Sequence, residues 1–267
     1  MRLDALSAGH PMAGYLHFMA ELSRAQHAAV TTLAAMAASV AKQEPVVDGP
    51  PLAAELHHRD PIWRNGLVTL LDTFDRGKLP AQSVAVMDDL RRRDAKDIEA
   101  LADAFLNGGI NQSEVGAALY LASALQVYFT ALAASLNPSS LHLLPERGLC
   151  PCCGSTPVSG FISASGTTPG TRYLYCSLCS TAWNYVRAVC INCGGSRTVS
   201  LRGIEGSSGL AQAETCDECH TYAKMLYQAK DMATDPYADD LATLGLDMMV
   251  AEAGWARHAP NPLLLVG

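Results

Sequence analysis

Cysteine is missing before residue 150 and again after residue 219, so all nine cysteines of this 267-residue chain fall inside one window. A surplus of positive charge is missing as well. Nineteen Lys and Arg face 26 Asp and Glu, a net charge of −7, which leaves no electrostatic footprint for a nucleic-acid backbone. Aromatic residues make up only 6% and charged residues 17%, yet 49% of the chain is hydrophobic. A packed core is therefore available and wholesale disorder is excluded. Residues Met1 to Phe18 lack a basic stretch followed by an apolar run, so no secretory leader is expected. The chain is then expected in the reducing cytoplasm, where disulfides are rare and cysteines serve more often as metal ligands. No Ser/His/Asp, nucleotide-loop or paired-carboxylate pattern argues for catalysis, and a non-enzymatic role is expected.

The cysteine-free first 145 residues are rich in Ala and Leu and read as an all-α domain of four or so helices. The first runs from about Ala13 to Lys42, ahead of Pro45 and a Pro/Gly loop ending at Pro51. Asp60-Pro61 opens the second, with Asp as cap and Pro at the first helical position. The third spans about Ala81 to Leu106 and stops at Gly108-Gly109. Asn111 and Glu114 open the fourth, to about Leu136. From Val115 to Leu136 there are 22 residues without a formal charge, enough to cross a bilayer. Ser123, Gln126, Tyr128, Thr130 and Ser135 dilute that run and no Lys or Arg flanks it, which favours a buried central helix over membrane insertion. The mixed-sign run from Asp88 to Glu99 reads as a solvated face. Asn137 to Ser140 with Pro145 supplies a linker. At the far end, Asp235-Pro236 opens a helix to about Trp255. Leu241, Leu244, Met248 and Ala251 form its inward stripe, and an apolar tail runs from Asn261 to Gly267.

Eight of the nine cysteines form four C-x2-C pairs: Cys150/Cys153, Cys176/Cys179, Cys190/Cys193 and Cys216/Cys219. A two-residue spacer lets a tight turn aim two thiolates at one ion, and two such turns complete a tetrahedral shell. Adding 40 to each number in the first set gives the second, so the segment is an internal duplication of one supersecondary unit. Gly154/Gly194, Gly166/Gly206 and Thr181/Thr221 keep the same offset. Each unit reads as a small ribbon with strands at Tyr173 to Tyr175 and Trp183 to Val189 and loops at 165–171 and 203–209. Repeat symmetry pairs the turns in sequence, Cys150, Cys153, Cys176 and Cys179 in one site and Cys190, Cys193, Cys216 and Cys219 in the other. A nested pairing of the middle turns is feasible in spacing but breaks the symmetry. Cys152 and His220 are read as bystanders. Units this short bury little apolar surface, so metal should supply most of their folding free energy. Four thiolates leave no open position for substrate. The spacing leaves structural zinc, iron able to exchange an electron, and a sulfide-containing cluster all open.

Gly166-Thr167-Thr168, Gly170, Arg172-Tyr173-Leu174, Cys176, Leu178-Cys179, Thr181 and Trp183 together resemble the signature of the formate dehydrogenase accessory protein (FdhE) family. So do Cys150-Pro151, Cys153-Gly154, Pro157-Val158, Cys216-Asp217, Cys219, Thr221-Tyr222, Lys224, Leu226-Tyr227-Gln228, Asp239-Asp240-Leu241-Ala242 and Asn261-Pro262. The resemblance covers about residues 148–267; Cys152 departs from it. It implies a cytoplasmic protein that acts in maturation on the catalytic subunit of respiratory formate dehydrogenase before export. It also implies two mononuclear rubredoxin-like iron sites held by the eight paired cysteines, with zinc as the alternative occupant.

The expected fold class is α+β. A helical bundle (1–145) is followed by two tandem rubredoxin-like or zinc-ribbon four-cysteine modules (146–186 and 187–232) and a C-terminal helix and tail (233–267). A nucleic-acid-binding zinc ribbon is the rival reading, although residues 146–234 hold only seven Lys and Arg against six Asp and Glu. An electron-transfer component is a third, and the sequence is compatible with a homo-oligomer.

Overall fold

A computed structural model describes residues 1–40, 49–146, 148–166, 168–259 and 261–264. The expected end of the first helix at Lys42, the loop at Pro45, Thr167 of the signature stretch and the last three tail residues lie outside them.

The N-terminal part is helical: α1 (Arg2–Ser7), α2 (Ala13–Val40), α3 (Trp63–Thr73), α4 (Ala81–Arg92), α5 (Ala95–Leu106) and α6 (Val115–Ser135). Helix α6 is the axis of the bundle, and 78% of its most apolar window is buried. Its long uncharged run is therefore packed against α2, α3, α4 and α5, as a central helix must be. One expected start shifts and one expected helix splits. Asp60 accepts from the Ile62 amide at 2.9 Å, making a turn, and α3 begins only at Trp63. The expected third helix is two. Arg93 is extended (ψ 142°), and the Asp94 carboxylate caps the Asp97 amide, which starts α5 afresh. The mixed-sign run is paired across helices rather than merely solvated, with Arg93–Glu114 at 2.8 Å and Arg91–Asp72 at 2.6 Å.

The cysteine-rich part forms a seven-stranded sheet. Strands β1 (Pro157–Ile162), β2 (Arg172–Cys176) and β3 (Ala182–Asn184) belong to the first repeat; β4 (Val199–Arg202), β5 (Ala211–Cys216) and β6 (Thr221–Tyr227) belong to the second. The order β3-β2-β1-β6-β5-β4 joins the repeats through a parallel pairing of β1 with β6, Gly160 opposite Met225. A Cβ on Gly160 would lie 2.4 Å from the end of the Met225 side chain, so the glycine lets the Met225 thioether lie over that seam. The expected strand through Val189 ends at Asn184. Beyond it, the Arg172 guanidinium donates to the carbonyls of Val186 and Val189, both at 3.2 Å, and folds the connection into a turn.

The expected C-terminal helix is two short ones, α7 (Ala238–Ala242) and α8 (Leu244–Glu252), broken at Thr243. Strand β7 (Ala256–Arg257) follows and pairs with β6. Leu241, Leu246 and Val250 are buried while Met248 is exposed, so the inward stripe differs from the expected one. The break resets the helical phase and moves Met248 outward.

Candidate metal centres

The eight paired cysteines gather four and four, in the sequential arrangement. Cys150, Cys153, Cys176 and Cys179 form one group and Cys190, Cys193, Cys216 and Cys219 the other, the sulfurs of each within 4.8 Å of one another. The duplication extends to backbone detail. Gly154 and Gly194 take positive φ (80° and 74°), as do Ser180 and His220 (59° and 52°), forty residues apart in each case. The Gly154 amide donates to the Cys150 carbonyl at 2.9 Å, and Gly194 donates to Cys190 at 3.0 Å. The Cys150 amide reaches the Ser155 carbonyl (2.9 Å) and that of Cys190 reaches Gly195 (2.8 Å).

Sulfur separations match as well. Cys150–Cys179 and Cys153–Cys176 are 3.5 and 3.4 Å apart; Cys190–Cys219 and Cys193–Cys216 are 3.6 and 3.7 Å. A tetrahedron with metal–sulfur bonds of ~2.3 Å has edges of about 3.8 Å, close to these distances. The donor set therefore fits one ion per group. Amides support the sulfurs, Leu178 and Cys179 donating to Cys176 at 3.3 Å and Gly195 to Cys193 at 3.4 Å. The hydroxyls of Thr181 and Thr221 lie 3.1 and 3.0 Å from Cys179 and Cys219.

Four thiols this close cannot all ionise unless a cation sits among them. Hydrogen bonding to Cys150, then to Cys176 and Cys179, together with burial, holds the Cys153 thiol far above its usual range. Burial above all does the same to Cys176. At Cys219 burial opposes ionisation, but the Thr221 hydroxyl and amide prevail and bring the thiol down to about 6. A bound cation deprotonates its thiol ligands outright.

The two groups differ in cover. All four cysteines of the first are buried. The Leu52 and Ala54 amides donate to the carbonyls of Cys152 and Cys153, both at 2.9 Å. Gln126 Nε2 on α6 donates to the Ser177 carbonyl at 2.7 Å, and the Tyr237 hydroxyl donates to that of Cys176 at 2.7 Å. In the second group Cys193 is exposed and Cys219 half-exposed. Its supports come from the other side: Tyr185 Oη donates to the Cys190 carbonyl (3.0 Å) and Trp255 Nε1 to Asp217 (3.1 Å). Cys152 is buried and outside both groups, and His220 is exposed.

Several supporting residues were given no structural role from sequence. Gln126 and Thr130 are read there only as diluting an apolar helix, yet both face the first cluster, Thr130 Oγ1 lying 3.1 Å from Ser180 Oγ. Lys224 is buried between Asp240 (3.2 Å) and Asp247 (2.5 Å). Its signal is a charge at an inward position of an alternating strand, between buried Tyr222 and Leu226. Arg172 pairs with Glu214 at 2.8 Å and joins the two repeats.

Comparison with known proteins is consistent over the whole chain. Family models described as "FdhE, N-terminal", "FdhE, central domain" and "FdhE, C-terminal domain" match residues 1–146, 149–187 and 186–264. A "Protein FdhE homolog" from Edwardsiella ictaluri is 38% identical over all of this chain and 87% of its own length. One from Haemophilus influenzae is 33% identical over 98% of this chain and 86% of its own. The crystal structure of the FdhE protein from Pseudomonas aeruginosa is similar with a TM-score of 0.86 at 34% identity, covering 100% of this chain and 94% of that one.

Proposed function

The chain belongs to the FdhE family, and on that premise we propose that it is an accessory protein in the maturation of respiratory formate dehydrogenase. It binds the catalytic subunit in the cytoplasm, before export, through its helical and cysteine-rich parts. Cys150, Cys153, Cys176 and Cys179 hold one ion, and Cys190, Cys193, Cys216 and Cys219 hold the second, in rubredoxin-like sites. Iron is the proposed occupant and zinc the alternative.

The observation that carries this reading is the coincidence of a full-length family match with two complete four-sulfur groups. Iron in such a shell supplies one-electron chemistry; zinc supplies only cross-linking. The protein's own part is to hold the sulfurs, through the amides of Leu178, Cys179 and Gly195 and the hydroxyls of Thr181 and Thr221. A closed four-thiolate shell offers no coordination position to a substrate, which supports a role as helper rather than enzyme. The exposed second turn carries Asp217 and Glu218, which weighs against the nucleic-acid reading.

Two measurements test the proposal. Co-purification with a formate dehydrogenase catalytic subunit under reducing, anaerobic conditions is expected, and its failure would count against the partner. Protein purified without oxygen is expected to show a rubredoxin-like visible spectrum that bleaches reversibly on reduction. A colourless zinc-loaded protein would remove iron from the account.

A further inference from the structure

We propose that the second four-cysteine group is an exchange site, opening at Cys193 to soft metal ions and thiol-directed electrophiles, while the first is sealed. This rests on the reading of both groups as metal centres. Ligand exchange at a closed tetrahedral ion begins when one thiolate lets go. It then takes a proton or a second cation, and the vacated position is filled from solvent. Only a sulfur that solvent can reach can do this without unfolding its surroundings.

Cys193 is the most open sulfur of the eight. Its side chain is exposed, whereas Cys150, Cys153, Cys176 and Cys179 are each at most 2% exposed. It borders a cavity of about 670 Å³ with Glu146, Tyr185, Asn192, Gly194 and His258, room enough for a small chelator or an incoming hydrated ion. A carboxylate stands beside this sulfur. A Cβ placed on Gly195 would lie 2.4 Å from Glu218 Oε2 and 3.3 Å from Cys193 Sγ, so the Glu218 carboxylate hangs over the turn beside the exposed sulfur. An oxygen anion there gives an arriving cation its first ligand before the sulfurs close on it. The matching position of the first turn is Leu178, 4% exposed and part of the hydrophobic core.

Metal content of the as-purified full chain comes first; about two ions per chain is the expectation, and fewer would count against the reading of two centres. Challenge with 4-(2-pyridylazo)resorcinol is then expected to release one equivalent at least about tenfold faster than the other. Pulsed iodoacetamide with peptide mass spectrometry is expected to label Cys193 first and the first group last. Release in a single phase, or labelling of Cys150 or Cys176 as fast as Cys193, would overturn the proposal. The labelling order decides the matter whatever the metal content proves to be. Cys193→Ser should remove the fast equivalent and keep the slow one. Glu218→Gln should slow re-uptake of zinc by the chelated protein with its final stoichiometry unchanged; unchanged uptake would remove Glu218 as the first ligand.

Discussion

At positions 177 and 178 the first repeat carries Ser and Leu inside its second turn; forty residues on, Asp217 and Glu218 hold the same places. Inside the opening turn the pair is Pro151-Cys152 in one repeat and Ile191-Asn192 in the other. The turns themselves superimpose in hydrogen bonding, in positive-φ positions and in sulfur spacing. The same four-sulfur arrangement is thus built twice, and the residues between the cysteines decide what can lie against it. Small and apolar tips let the helical half close over the first group by way of backbone amides and α6. Charged tips keep the second at the surface, and its repeat is instead tied to the C-terminal segment by ions, Lys224 and Arg257 against Asp240 and Asp247.

The sharpest way to break that contrast is to remove one ligand from each group. Structural zinc contributes ~10–16 kcal/mol of apparent binding free energy in small thiolate modules, comparable with the whole stability of a typical domain, ~5–15 kcal/mol. Cys176→Ser should therefore unfold the cysteine-rich half and disturb α6, since Gln126 and the Leu52 and Ala54 amides lose their partners. Cys216→Ser should lose one ion and the local β4–β5 pairing while the helical half melts as before. Far-UV circular dichroism melts and metal content of the two variants decide it. Equal losses of helix would erase the distinction between core and surface sites.

Next in size is Lys224→Met. Removing one member of a buried ion cluster typically costs ~3–5 kcal/mol, and here two carboxylates would be left to share the single charge of Arg257. Asp240 is fully buried and also bonds Arg257 at 2.5 Å and Asn261 at 3.2 Å. The loss should appear as faster hydrogen exchange in β6, β7 and α8, with the turn at Cys150 to Cys153 protected as before. Gln126→Leu acts on the other side. It leaves the Ser177 carbonyl without its donor, at roughly 1–3 kcal/mol, and should speed exchange in the first repeat alone.

The two four-sulfur groups were legible in the sequence because a duplicated C-x2-C spacing has one economical geometric solution. The sequential grouping followed from the 40-residue offset, and the long Ala- and Leu-rich runs gave α2 and α6, although neither expected cap, Asp60 or Asn111, caps a helix with its side chain. What escaped depends on tertiary partners. A single Asp94 splits the third helix by capping Asp97, which an uninterrupted helical pattern conceals. The strand expected through Val189 is bent away by Arg172, a residue fifteen or so positions earlier in the chain. The merging of both ribbons into one sheet comes from the parallel pairing of Gly160–Ile162 with Met225–Tyr227, a contact between residues that no periodicity links. Gln126 shows the same limit, because polarity in an apolar helix marks a partner without naming it.

The smallest expected effect concerns pH and again separates the two groups. His57 lies on the loop that covers the first group, 3.1 Å from the Tyr128 hydroxyl and between the rings of Tyr128 and Phe129. Burial, aided by Arg59 and His58, holds its imidazole below the ordinary histidine value. The unfolded chain then binds a proton more readily than the folded one, so stability fully present above about pH 6.5 is lost as pH falls below it and through the lower folded-state value. Thiolate–metal bonds also weaken in acid, and the two causes are separated by His57→Gln, which keeps a hydrogen-bonding side chain and removes the titration. Wild type should lose more thermal stability than the variant between about pH 7.5 and 5.5. The difference should register as earlier labelling of Cys150 and Cys153, with no change at Cys193. Parallel behaviour of wild type and variant would mean that the loop's grip on the first group owes nothing to a neutral His57.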